Sequence, residues 1–198
     1  MIRDAPIDVR VGLSDTQRRA AAALYDEAFG EKFKAAISSE SARLGLLEET
    51  FVGRFAVCAT VDGTLVGLAG FHTVDGSLTG GIDSNELVSR LGIFRGVRAA
   101  LVFSLYERGL KPGELLMDGI AVRQAYRGRG IGSRLLAEIV DYAGTHEFSC
   151  VRLDVIDTNS GARRLYERSG FTAVKSESFP YLRWLLGFGG VTTMTLEL

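Results

Sequence analysis

Three features of the sequence predict an α/β fold, a central mixed sheet that is mostly antiparallel with one parallel strand pair and is flanked by helices. Residues 55–61 and 64–74 are rich in Val, Leu, Phe and Thr and are separated only by Asp62-Gly63, the strongest short hairpin signal. The apolar runs 115–122 and 150–156 are joined by a segment carrying Ile131, Leu135, Leu136, Ile139, Val140 and Ala143 on one helical stripe. A strand, helix, strand unit of this kind makes its two strands parallel and its crossover right-handed. Strand-like segments at 7–11 and 191–198 complete the sheet.

The remaining elements follow in order. Ser14 and Gln17 read as a capping box, and the Ala-rich run to Phe29, with Gly30 behind it, carries a helix's start and stop signals. A second helical region is expected from 31 to about 49, and a loop at 76–81. Residues 84–109 read as one long inserted helix in which Arg90, Arg95, Arg98 and Arg108 share one arc and most of the remaining surface is apolar. A buried strand is expected at 115–122, covered on both faces. After the helix that ends near Thr145 come a strand at 150–156, a helix at 159–169 and a strand starting at 171–174. No linker or repeat divides the chain, so residues 1–198 are expected to form one domain.

Composition narrows the function. With 198 residues, 46% of them hydrophobic, folding can bury roughly 70% of the unfolded chain's surface without disulfides or metals. A net charge of −1, from 23 basic and 24 acidic side chains, removes the long-range attraction of a nucleic-acid or anionic-membrane binder. Cys58 and Cys150 lie in apolar strand-like runs and read as buried hydrophobes, and no zinc-ligand spacing exists. The N-terminal residues have no apolar signal core, which suits a cytoplasmic protein, and arginines interrupt the apolar stretch 87–106 too often for a membrane span.

Chemistry concentrates in Arg127-Gly128-Arg129-Gly130-Ile131-Gly132-Ser133, between a buried strand and the first turn of an amphipathic helix. Glycines let a ligand approach the backbone, the first helical N–H groups lack internal partners, and the helix dipole favours an anion there by about 0.3–1 kcal/mol. A phosphate-binding P-loop needs Gly-Lys-Ser or Gly-Lys-Thr after its glycines, and that is missing. A dinucleotide fingerprint is contradicted by the spacing of Gly128, Gly130 and Gly132, although Asp154 sits where a ribose-binding acid belongs.

Arg127, Gly130 and Gly132 form an R-x-x-G-x-G pattern, and Asn159 precedes a helix ending in Leu165-Tyr166-Glu167-Arg168-Ser169-Gly170-Phe171, an L-Y-x-x-x-G-F pattern. Together these match the two signatures of the GNAT superfamily of acetyl-CoA-dependent N-acyltransferases, which the chain resembles. Gln124 departs from the family, whose members commonly carry Pro there. The resemblance covers about residues 118–172 and implies the GNAT-like acyltransferase fold, with acetyl-CoA as cosubstrate and no metal.

It further implies that the backbone N–H groups of Arg127, Gly128, Arg129, Gly130, Ile131, Gly132 and Ser133 hold the cofactor's pyrophosphate. Ala121 and Val122 are then expected to pair with the pantetheine amides as an added strand, and Asn159 to hold the same arm. Asn159 equally suits a plain N-cap. Tyr166 matches the family tyrosine that protonates or anchors the thiol, against a reading as core packing. Asp118, four residues before Val122, is the acid best placed to accept the amine's proton, against a reading as a strand-end carboxylate. The expected activity is transfer of the acetyl group to a primary amine by direct attack, and the alternative is a non-catalytic acyl-CoA-binding regulatory module. For the 84–109 helix two readings stay open: it walls an acceptor pocket with the tail 179–186, favouring an amine with a hydrophobic group, or it forms a homodimer interface.

Overall fold

The computed structural model describes residues 5–34, 37–80 and 109–198. The expectations for the 84–109 helix as pocket wall or dimer interface lie outside the described residues. The strands are β1 (Ile7–Val11), β2 (Ala56–Val61), β3 (Thr64–Thr73), β4 (Gly76–Ser77), β5 (Glu114–Val122), β6 (Cys150–Ile156), β7 (Thr172–Ser178) and β8 (Gly190–Glu197). The helices are α1 (Arg18–Lys34), α2 (Glu40–Thr50), α3 (Ile131–Thr145), α4 (Ser160–Arg168) and the short α5 (Arg183–Leu186). The strands form one sheet in the order β1-β2-β3-β5-β6-β8-β7, with β4 paired to β3, and β5–β6 is its parallel pair. This is the mixed, mostly antiparallel architecture expected from the sequence.

Local chemistry accounts for the elements. Asp62 and Gly63 both take positive φ, 49° and 75°, as the tight turn between β2 and β3 requires. The stripe on α3 buries Ile131, Leu135, Leu136, Ile139 and Ala143. At Gly67 a Cβ would stand 2.9 Å from Ile131 Cγ2 and 3.0 Å from Leu135 Cδ1, so the bare glycine lets α3 lie close on β3. A Cβ on Gly119 would stand 2.7 Å from Phe29 Cζ, which brings α1 equally close to β5. Gly119 pairs with Gly70, three residues along β3 from Gly67, and strand alternation therefore puts α1 and α3 on opposite faces of the sheet. Leu135 is fully buried in this core, and Leu135→Ala is expected to destabilise the protein by about 2–5 kcal/mol. The check is a lower urea midpoint with an unchanged slope.

Several local expectations are corrected. Ser14 caps no helix N–H; its hydroxyl donates to Gln17 Oε1 at 2.9 Å, a 3₁₀ turn follows, and α1 begins only at Arg18. Gly30 does not stop α1, because a Cβ there would lie 2.6 Å from Asp26 Oδ1 and the glycine makes room for that carboxylate. The second helical region is α2 alone, capped by Ser39, whose hydroxyl accepts from the Ala42 N–H at 3.4 Å. The expected loop at 76–81 holds the two-residue strand β4. Nor is β5 covered along its whole length: Glu114 to Met117 are buried, whereas Asp118 is exposed and Gly119, Ile120 and Val122 are half-buried. The cause is a fork in the sheet.

Candidate active site

The parallel pair β5–β6 holds for four residues, from Glu114 opposite Cys150 to Met117 opposite Leu153. Beyond that point β5 continues along β3 to Val122, and β6 continues along β8 to Ile156. The strands separate, so 118–122 of β5 and 154–156 of β6 each face the opening with one backbone edge. At the start of the fork Asp118 is a β-bulge, since Gly119 pairs with Gly70 and Met117 with Phe71, leaving Asp118 without an opposite number. A bulge re-aims its side chain, which explains an exposed carboxylate in an apolar strand. The Arg123 N–H donates to the Val66 carbonyl at 2.9 Å, which fixes the backbone alternation of β5. Ala121 therefore points its backbone groups at β3, while Ile120 and Val122 turn theirs into the fork.

Both strands end at the same rim, and the two sequence motifs follow them there. After β5 the chain makes a 3₁₀ turn (Gln124–Tyr126) and reaches the glycines. Gly128 and Gly130 have φ of 76° and 75°, a left-handed conformation that disfavours other residues, and no heavy atom lies within 4 Å of a Cβ built on either. Their requirement is conformational, and the space beside them is open. The first α-helical bond of α3 runs from the Arg134 N–H to the Gly130 carbonyl at 3.1 Å, so the N–H groups of Ile131, Gly132 and Ser133 have no acceptor within the helix. Arg127 Nε–H donates back to the Val122 carbonyl at 3.0 Å, tying the turn to the strand end. The Arg129 guanidinium lies 5.4 Å from the centre of the Tyr126 ring.

From the other arm, α4 comes against this turn: Leu165 Cδ2 lies 3.5 Å from the position of a Cβ on Gly132. Asn159 caps α4, its Oδ1 accepting from the Ala162 N–H at 3.1 Å, and the residue is exposed. The cap reading is thus realised, and it leaves the amide nitrogen for another partner. Tyr166 is 6% exposed, and its ring packs 6.1 Å from that of Phe171. Burial pushes its phenol up to about 12, so it is protonated at neutral pH. Among the described residues its hydroxyl has no hydrogen-bond partner.

Helix α1 brings two residues to the fork that sequence reasoning missed. Phe29 rests on Gly119, and Tyr25 packs 4.8 Å from Phe29 and 5.5 Å from Phe51, ring centre to ring centre. The Tyr25 phenol is raised first by burial and then by the charge of Asp118. Asp118 Oδ2 also lies 3.4 Å from the position of a Cβ on Gly70. The i, i+4 aromatic spacing of Tyr25 and Phe29 was the available signal, but it marks a core face as readily as a site. Among the described residues no hydrogen bond joins Asp118, on β5, to Tyr166, on the helix that follows β6. His72 is lowered by burial, and His146 stacks on Tyr142 with Nδ1 2.8 Å from the Tyr142 carbonyl. Asp154 accepts from Thr193 Oγ1 at 2.5 Å within the sheet, which engages the acid that a dinucleotide site needs.

The arrangement suits a ligand that carries phosphate at one end and an amide arm: N–H groups converge on open space beside two left-handed glycines, and a strand edge at Ile120 and Val122, with no strand paired to it among the described residues, leads from them to the fork. Comparison with known proteins agrees. A family model, the acetyltransferase (GNAT) family, matches residues 19–171. N-alpha-acetyltransferase RimI of Mycobacterium tuberculosis is 43% identical over 63 residues, 32% of this chain and 38% of that protein. The probable N-acetyltransferase camello of Xenopus tropicalis is 36% identical over 69 residues, 35% of this chain and 32% of that one. The alignments span between 17% and 47% of the lengths of the curated relatives matched. Among solved structures, an acetyltransferase crystal structure superposes with a TM-score of 0.65 at 20% identity, covering 96% of this chain and 98% of that one. The yncA acetyltransferase from Salmonella typhimurium, solved with its cofactor acetyl-CoA, gives 0.61 at 18% identity over 97% and 94% of the two chains. These structures share the fold, and the family model spans well over half of the sequence. The chain belongs to the acetyltransferase (GNAT) family.

Proposed function

We propose that the protein transfers an acetyl group from acetyl-CoA to an amine by direct attack. The observation that carries this reading is the fork between β5 and β6, with the glycine turn at its rim, Asp118 on β5 and Tyr166 on α4, the helix that follows β6. The backbone N–H groups of 128–133 hold the pyrophosphate; that of Arg127, expected to join them, already donates to the Gln124 carbonyl at 3.2 Å. Ile120 and Val122, rather than Ala121, offer the strand edge to the pantetheine amides, and the Asn159 amide holds the same arm. Acetyl-CoA, when bound, supplies an activated acyl group as a thioester.

The protein's own groups then have two tasks. An alkylamine with a pKa of ~10.4 is mostly protonated at neutral pH and must lose a proton to attack. Asp118 draws the ammonium to the mouth of the fork and takes that proton, directly or through one water, while Tyr25 and Phe29 wall the acceptor side. As the C–N bond forms and the C–S bond breaks, the departing thiolate, whose thiol has a pKa of ~8.5, receives a proton from the Tyr166 hydroxyl, and the second proton that the nitrogen sheds on becoming an amide restores the phenol through solvent. Direct attack fits the cysteines: burial pushes the Cys58 thiol up to about 12 and raises that of Cys150, so neither supplies a thiolate nucleophile at neutral pH. The cytoplasm, where such thiols stay reduced, is the compartment this reading favours.

Free-thiol release from acetyl-CoA across a panel of amines tests the proposal. Release stimulated by one class of amine supports it; acetyl-CoA binding by calorimetry with no amine-stimulated release favours the regulatory module instead. Asp118→Asn is expected to lower kcat/KM for the amine by about 10²–10⁴-fold at neutral pH, with partial recovery as rising pH deprotonates the amine in solution. A neutral-pH rate equal to wild type removes Asp118 from the mechanism.

A further inference from the structure

Helix α1, which carries Tyr25 and Phe29, is held to α2 by an ion pair in an unusual place. Arg43 is 3% exposed, and its side chain grips Asp26 in a two-point fork, Nε to Oδ1 at 2.7 Å and Nη2 to Oδ2 at 3.0 Å. The same guanidinium donates through Nη1 to the carbonyls of Ile37 at 2.9 Å and Ser38 at 3.1 Å, just before α2 begins. Asp26 is partly enclosed, its side chain 10% exposed. Gly30 completes the cradle, since any Cβ there would run into the Asp26 carboxylate. At the opposite end of the helix pair a second arginine, Arg18, donates through Nη1 to the Phe51 carbonyl at 2.6 Å and to that of Glu48 at 3.3 Å.

A buried ion pair is a poor source of stability, because desolvation offsets most of the attraction and apolar residues of similar volume serve as well or better. What a planar two-point fork does supply is position, along and around the helix axis. Asp26 directly follows Tyr25 and lies three residues before Phe29. A slip of α1 that apolar packing would tolerate therefore moves both rings relative to Asp118 and Gly119.

We propose that the Asp26–Arg43 pair is a positioning device for the acceptor, holding α1 in the one register that sets Tyr25 and Phe29 against the Asp118 end of the fork. Neither residue touches a reacting atom. The device acts on the acceptor side alone, because the glycine turn and α4 are held by other elements. This inference rests on the acetyl-transfer reading above.

The test is the apolar pair Asp26→Leu with Arg43→Met in the full chain, compared with wild type by thermal unfolding, acetyl-CoA calorimetry and amine-dependent thiol release. The expected result is a folded protein whose Tm falls by no more than the loss of the two bonds to the Ile37 and Ser38 carbonyls explains, with unchanged acetyl-CoA affinity. Alongside these, KM for the amine rises and its kcat/KM falls by about 10- to 100-fold, the scale of a misplacement near 1 Å. Arg43→Lys keeps the charge but loses the fork, and is expected to fall between the two; it carries the same readouts should the apolar pair fail to fold. Wild-type KM and kcat for the amine in a folded variant overturn the proposal and make the pair a structural contact. Absence of amine-dependent release from the wild-type protein instead overturns the acetyl-transfer reading itself, so the two failures are told apart by the wild-type control.

Discussion

Tyr166→Phe is expected to lower amine-dependent thiol release by about 10²-fold or more, within the range of general acid catalysis, while acetyl-CoA affinity changes less than about twofold. The substitution removes one oxygen from a ring that stays packed on Phe171, so the fold is retained. What is lost is a phenol that burial pushes up to about 12 and whose hydroxyl has no partner among the described residues. The sign matters: a pKa raised from 10.0 keeps the proton on Tyr166 throughout the neutral range. It also means that Tyr166 favours the folded state fully below about pH 10, and that this contribution is lost as pH rises through about 12. No basic limb from this residue should therefore appear near neutrality. A donor to the leaving thiolate has a further signature. An acetyl thioester of a more acidic thiol needs the proton less, so the variant's deficit should shrink with it. A full rate in Tyr166→Phe with acetyl-CoA would reduce the residue to packing.

How far the sequence alone reached is decided by the range of the interactions involved. The Asp62-Gly63 hairpin was legible because both residues must take positive φ, a property of two residues and nothing else. The glycine turn was legible for the same reason, as a local backbone requirement beside a helix start, whereas the L-Y-x-x-x-G-F segment was legible only through its resemblance to the GNAT signature. Asp118 could be picked out as a carboxylate in an apolar run, but its bulge and the fork it opens depend on which strands lie beside β5, and four residues of pairing with β6 are not written in β5. Ala121 shows the same limit, since only the register with β3 reveals which way its backbone faces. Gly30 read as a helix stop because what it makes room for, the Asp26 carboxylate held by Arg43 seventeen residues away, is not visible in the local sequence. Tyr25 and Phe29 became site candidates only once α1 was seen lying on Gly119.

Gly130→Val is expected to weaken acetyl-CoA binding by at least about 10²-fold in calorimetry, in a variant that still folds. The structure places the cause in the backbone. Nothing lies within 4 Å of a Cβ at Gly130, so the new side chain meets no protein atom; it meets a φ of 75°, which a β-branched residue adopts at a cost of about 1–3 kcal/mol. The turn can relieve that strain by rotating out of the left-handed region. Gly130 is the N-cap of α3, so rotation there swings the N–H groups of Ile131, Gly132 and Ser133 off a common target. Hydrogen bonds to a charged acceptor contribute about 1.5–3 kcal/mol each, and the loss of two accounts for the expected effect. Should the turn keep its conformation, the valine methyls occupy the open space beside it, and a pyrophosphate is crowded instead. Gly45→Ala is the control, because Gly45 also has nothing within 4 Å of a Cβ but sits inside α2 with no positive φ. There the new methyl should leave acetyl-CoA affinity unchanged and raise stability by about 0.4–1 kcal/mol. If Gly130→Val binds acetyl-CoA as the wild type does, the pyrophosphate does not lie on this turn, and the strand edge at Ile120 and Val122 loses its role as the path leading from it.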